Sequence, residues 1–239
     1  MTTNNLRMIA FGAFLTALAA SSVVQAQVYY RLDTGYSKSV GADIKDKNFA
    51  VDGIICGDAA CTTPGSLKDV GSSIILGGGV GYRFNPNMRG DVTLGYRPTY
   101  KLDASDASSP PTKFKADVKS LSLMANGYYD FPLTSWTPYL GAGLGIAQNK
   151  VGTVSISDST GLAATAPGGT KSGLAWAFMA GAGIPLSNNL TLDVGYRFID
   201  LGKLEIASGD VTVAGFGAFP YSGATGKLRA HELTVGVRF

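Results

Sequence analysis

A strict two-residue period recurs along this chain, and it constrains the fold more than any other feature. In "HELTVGVRF" (231 to 239), Leu233, Val235, Val237 and Phe239 alternate with Glu232, Thr234, Gly236 and Arg238. "LTLDVGYRF" (190 to 198), "DVTLGYR" (91 to 97) and "ILGGGVGYRF" (75 to 84) repeat the pattern. Such a period places successive side chains on opposite faces of an extended strand. It predicts eight strands, at about 27–37, 71–84, 89–100, 117–131, 137–149, 173–186, 190–205 and 227–239. No segment between them has a convincing helical period, so the expected class is all-β.

The connections alternate in length. Segments 85–88, 132–136 and 187–189 are tight turns, whereas 38–70, 101–116, 150–172 and 206–226 are long and rich in Gly, Ser, Thr and Ala. Eight antiparallel strands with short turns at one end and long loops at the other are the arrangement of an up-and-down transmembrane β-barrel of the bacterial outer membrane. The four long connections are then the expected extracellular loops.

Alternation is symmetric, because a soluble barrel shows the same pattern with its faces exchanged. Glycine separates the two readings. Gly141, Gly143, Gly145, Gly181 and Gly183 fall on the polar face; they would weaken a water-facing strand, but the crowded, curved inside of a small barrel needs them. Aromatic residues agree, since Tyr82, Phe84, Tyr129, Phe131 and Phe239 mark the turn ends of the apolar face. Tyr36, Tyr96 and Tyr196 mark its loop ends, as interfacial girdles do. The apolar face is expected to meet lipid.

On this register the interior collects Arg31, Arg83, Arg97, Arg197 and Arg238 with Asp33, Asp91, Asp130, Asp193 and Glu232. The charges cancel, and an eight-stranded lumen is only wide enough to be filled by side chains. Buried charges persist when paired, so an ion-pair plug is expected, with an ion-selecting lining as the alternative. Pro98 removes a ladder donor inside a strand and predicts a bulge.

Arg7 followed by the apolar run 8–20 and by Val24-Gln25-Ala26 reads as a cleaved export signal over 1–26, leaving 27–239 as one domain. Cys56 and Cys61, in "CGDAAC", are expected to pair in an oxidising compartment. The formal charge of +3 is spread along the chain, which argues against a nucleic-acid partner.

"VYYRLDTGYS" (28–37), "YYDFP" (128–132), "TPYLGAGLGIA" (137–147), "LDVGYRF" (192–198) and "LRAHELTVGVRF" (228–239) resemble the eight-stranded outer-membrane barrels of alphaproteobacteria, a porin-like family that includes major surface antigens. The resemblance covers nearly all the strands and almost none of the long loops. It implies an outer-membrane location and makes Phe239 part of the signal read by the assembly machinery.

Three functions compete. An enzyme acting on lipid A needs a base and an orienting partner, but the single histidine, His231, has the outward parity of Phe239. No metal, phosphate-binding or nucleophile motif is present, so neither cofactor nor enzymatic activity is expected. A small porin is the second reading. The third, which the residues favour, is a monomeric structural barrel, bound to outer-membrane lipid, that displays loops for an extracellular ligand. Phe216, Phe219 and Tyr221 in "VAGFGAFPYSG" either serve that contact or pack on one another.

Overall fold

The computed structural model describes residues 27–40, 45–46, 71–105, 113–157, 159–161 and 163–239. The expected signal segment and Cys56 with Cys61 lie outside the described residues. The elements are all strands, in the order β1 (Gln27–Ser39), β2 (Lys45–Asp46), β3 (Ser72–Asn85), β4 (Met88–Ser105), β5 (Lys113–Asp130), β6 (Thr137–Val151) and β7 (Val154–Ser157). They continue with β8 (Ala163–Ala166), β9 (Gly169–Ser187), β10 (Leu190–Ile206), β11 (Gly209–Val213), β12 (Gly217–Tyr221) and β13 (Ala224–Arg238).

Eight of these strands close a ring. β1 pairs with β3, β3 with β4, β4 with β5 and β5 with β6. β6 then pairs with β9, β9 with β10, β10 with β13, and β13 returns to β1. Every pair is antiparallel, so no edge is left in the ring, as hydrocarbon requires of a sheet that crosses it. The seam ends on a reciprocal backbone pair: the Tyr30 N–H donates to the Phe239 carbonyl at 2.8 Å and the Phe239 N–H to that of Tyr30 at 3.0 Å. Phe239 itself points outward and stacks on Tyr30, with ring centroids 6.0 Å apart.

The faces fall as the period predicts. Val28, Leu32, Leu140, Leu144, Phe178 and Leu233 are each more than half exposed on the outer wall, while Arg97, Asp130, Asp193, Glu232 and Arg238 are buried inside. On β1 the outward apolar run extends from Val28 to Tyr36, nine residues, the length a tilted strand needs to cross hydrocarbon. The inward glycines make room for large neighbours. A Cβ on Gly195 would come within 2.8 Å of the Tyr139 hydroxyl, and one on Gly141 within 2.6 Å of the Tyr128 ring. Lumen tyrosines and lumen glycines are therefore complementary in shape.

Segments expected as loops are partly strand. β4 and β5 reach to Ser105 and from Lys113, β10 and β13 bound the 207–223 connection, and the hairpins β7–β8 and β11–β12 fill two long connections. β7 extends the wall from β5, β8 pairs with β7, and β11 joins β8 to β12. The ladder between β4 and β5 slips between Arg97 and Tyr100, where Pro98 was expected to force a bulge. A second slip between Asp200 and Lys203 is closed by Gly202, whose φ of 79° suits glycine and whose N–H donates to Asp200 Oδ1 at 2.8 Å.

Candidate functional site

Two regions carry chemistry: the lumen within the apolar band and a crown above it. In the lumen the inward side chains form three tiers. At the turn end, Arg89 Nε donates to both Asp130 oxygens, at 3.0 and 3.1 Å. Its guanidinium lies 3.9 Å from the Tyr128 ring centroid and 4.7 Å from that of Tyr139. Arg238 Nε pairs with Asp193 Oδ2 at 3.2 Å. Arg83, partly exposed at the rim, is 3.9 Å from Asp130 and so is its outlying partner.

In the middle tier Arg31 grips Asp33 through two bonds of 2.8 Å, the fork geometry that favours arginine over lysine. Its Nη1 also donates to Asp91 Oδ2 and to the Tyr128 hydroxyl, both at 2.9 Å. Asp91 further accepts from Tyr29 at 3.1 Å and from Asn126 at 2.7 Å. The upper tier is a triad: Glu232 accepts from Arg97 Nε at 2.6 Å on one oxygen and from Arg197 Nε at 2.6 Å on the other. Ser37 donates to the same carboxylate at 2.8 Å and shares a hydrogen bond with the Tyr100 hydroxyl. The triad bridges β4, β10 and β13, so its three members reach across the lumen.

Each of the ten charged residues expected inside lies on the inner face and has an opposite charge within reach. Arg89 was missed, although its odd number gives it the inward parity of Asp91 and Arg97. It changes the count to six arginines against five carboxylates, and Arg89 rather than Arg83 is the main partner of Asp130. The excess cation is Arg83, the one nearest water. Between the middle and upper tiers lies a cavity of about 30 Å³, bordered by Arg31, Asp33, Tyr128, Tyr139 and Arg197. It has room for a couple of waters and not for a solute.

Above the upper tier the inner face changes character. Tyr100, Val118, Ile199, Leu201, Leu204 and Leu228 pack with Val154 and Ile156 of β7, Ala164 and Ala166 of β8 and Val211 of β11 into one buried cluster. The outer face changes within about one two-residue step of that level: Leu121 gives way to Lys119, Ile146 to Gln148, Leu174 to Ser172 and Leu233 to His231. His231 lies on the outer wall, its Nδ1 in a 2.5 Å hydrogen bond with the Tyr196 hydroxyl, next to Phe198 and opposite Lys38.

Of the loop aromatics, Phe216 is 77 % exposed at the β11–β12 tip and Phe219 is 37 % exposed on β12; the Tyr221 side chain lies outside the described residues. Among the described residues no group of His, Cys, Asp and Glu is arranged to hold a metal ion.

A closed ring of eight strands, apolar outside and charged within, defines a transmembrane β-barrel. The chain belongs to the outer membrane protein beta-barrel domain family, whose model matches residues 9–239. It is 30 % identical over 208 residues to outer membrane protein PagN of Salmonella typhimurium, covering 82 % of this chain and 77 % of that one. It is 31 % identical over 176 residues to a Rickettsia prowazekii protein named as a candidate adhesin, covering 67 % and 71 %. Among solved structures, Neisserial surface protein A superposes with a TM-score of 0.50 at 20 % identity, covering 90 % of this chain and 98 % of that one, which attests the fold alone. The protein is an integral protein of the bacterial outer membrane.

Proposed function

We propose that the barrel is a sealed, monomeric structural element of the envelope that carries its crown outside the cell for surface contact. The observation that carries the seal is the Arg97–Glu232–Arg197 triad, in which Arg97 and Glu232 are fully buried and each carboxylate oxygen is held by an arginine. A current-carrying pore needs these groups hydrated. Here both carboxylate oxygens are held, Arg97 Nη2 is the one polar atom of the triad buried without a hydrogen-bond partner, and the aliphatic crown core sits directly above them.

The outward display is supported by the β-hairpins β7–β8 and β11–β12 that fill two of the long connections and by the likeness to a candidate adhesin. Phe216 and Phe219 are the residues best placed for contact with an extracellular ligand. Catalysis on lipid A is disfavoured, because His231 is engaged by Tyr196 on the outer wall and the inward carboxylates are engaged by arginines. Assembly would use the outward Phe239 at the closing seam.

The test of the seal is single-channel conductance in a planar bilayer. Native protein should be silent, while the paired change Arg97→Ala with Glu232→Ala, which removes both partners and leaves Arg197 facing a widened lumen, should produce discrete openings. Steady conductance from native protein would make this a small porin instead.

A further inference from the structure

The level at which the outer wall changes from apolar to polar carries an unexpected pairing. Lys119 on β5 lies directly opposite Lys150 on β6, with both side chains exposed on the outer face. Opposed residues of an antiparallel pair hold their Cβ atoms about 4.5–5.5 Å apart, and like charges there repel. Near this level Lys171 is paired with Glu205 at 2.9 Å and Arg229 with Asp200 at 3.0 Å; a second lysine opposition, Lys203 on β10 against Lys227 on β13, stands farther from the apolar wall, beyond Asp200 and Arg229. Lys119 and Lys150 make no ion pair with a described residue. The nearest carboxylate on their face, Asp117, stands opposite Lys101 instead.

Their height decides what could relieve the repulsion. Two residues below Lys119 on the same face is Leu121, flanked by Tyr96 on β4 and Gln148 on β6, so the apolar band ends there. A two-residue step is about 6–7 Å, which sets both ammonium groups at lipid-headgroup level with their aliphatic stems along the wall. Two uncharged donors lie alongside: Gln148, whose side chain donates to Ser172 at 3.4 Å, and Thr170, opposite Lys150.

We propose that Lys119 and Lys150 form a clamp for the phosphate of an anionic lipid headgroup in the leaflet at the loop end. Several acceptor oxygens and more than one negative charge let a phosphate take both ammonium groups at once. The ligand is supplied by the bilayer itself, so the site is occupied whenever the barrel is in place. Calling that leaflet the outer one rests on the orientation proposed above; the clamp itself does not, and a nanodisc, which has no inside, tests it separately.

The test uses the intact barrel in phosphatidylcholine nanodiscs doped with lipid A, with the lipid that co-purifies after exchange into plain nanodiscs measured by mass spectrometry. Lipid A should be retained above its share of the mixture. Retention should fall about fivefold for Lys119→Gln or Lys150→Gln alone, and further for both. The charge-matched control Lys113→Gln with Lys115→Gln, placed farther from the band on β5, should retain lipid A like the native protein. Dephosphorylated lipid A should not be enriched, and inorganic phosphate at matched concentration should not displace the lipid. Native-like retention by the double variant, provided its heat-modifiable gel migration shows a folded barrel, would overturn the clamp. Equal retention of dephosphorylated lipid would overturn it too, and displacement by inorganic phosphate would replace the lipid ligand with a free anion.

Discussion

The band and the crown use the same alternation with opposite chemistry. Along β5 the inward residues run from Asp130 and Asn126 through Ser122 and Ser120 to Val118 and Ala116, while the outward ones run from Tyr129 and Leu121 to Lys119 and Lys115. Parity never changes; polarity inverts on both faces at one height. The strand is therefore not choosing between an inside and an outside. It matches whichever solvent the outer face meets, lipid below and water above, and the inner face takes the complementary role. Where lipid lies outside, the interior can hold charge because opposite charges face it across the lumen, even though Arg89 Nη2, Arg97 Nη2, Asp193 Oδ1 and Arg238 Nη1 are buried without hydrogen-bond partners. Where water lies outside, the interior must supply the apolar burial that holds the strands together.

Placing a charge on the outer face of the lower region should strain that distinction most. Leu144 is exposed near the middle of the β6 apolar run. Leu144→Arg should destabilise the barrel by about 2–4 kcal/mol, the cost of a cation near the bilayer midplane, read as a lower urea midpoint in lipid vesicles. In a soluble protein an exposed leucine tolerates arginine with a change within about 0.5 kcal/mol. A shift that small would mean that this wall does not face hydrocarbon.

A smaller change probes the upper region. Val118 is buried in the crown core, and Val118→Ala removes two methyl-equivalents, about 1.5 kcal/mol. The loss should be local, with faster hydrogen exchange in β7, β8 and β11 and unchanged protection in β1 and β13 over the apolar band. Faster exchange throughout would mean that crown and band form one cooperative unit rather than two.

The same inversion explains what could be read from the sequence and what could not. The eight wall strands, the inward charges and the outward aromatics were legible because hydrocarbon demands a long, uninterrupted apolar face, and Leu233 to Phe239 or Val28 to Leu32 supply it. Hairpins β7–β8 and β11–β12 were not. Their inward residues include Ala164 and Ala166, their outward ones Ser155 and Thr165, and such weak contrast over four or five residues resembles a loop. Arg89 opens the strand expected over 89–100 with the inward parity of Asp91 and Arg97, but its place beside the turn gives no sequence signal that it reaches into the lumen. That Arg89 rather than Arg83 would be the main partner of Asp130 could not be read at all, since it depends on pairing across β4 and β5.

The smallest expected effect on stability lies at the crown tip, and there the comparison meets function. Gly215 and Gly217 adopt φ of 81° and 97°, which turns the chain tightly and leaves Phe216 between them pointing into solvent. An aromatic ring held in water by a glycine-framed turn contributes little to the crown core, so Phe216→Ser, Phe219→Ser and Tyr221→Ser together should change the unfolding free energy read from urea titration by less than about 0.5 kcal/mol. If these rings are for contact, adhesion of cells bearing the triple variant to host-cell monolayers should fall severalfold while surface expression stays level. A fall in stability with adhesion unchanged would instead make the three aromatics a packed cluster of the loop itself, and it would move the search for a contact surface down to the charged outer wall of β4 and β5, where Lys101, Lys113 and Lys115 are exposed.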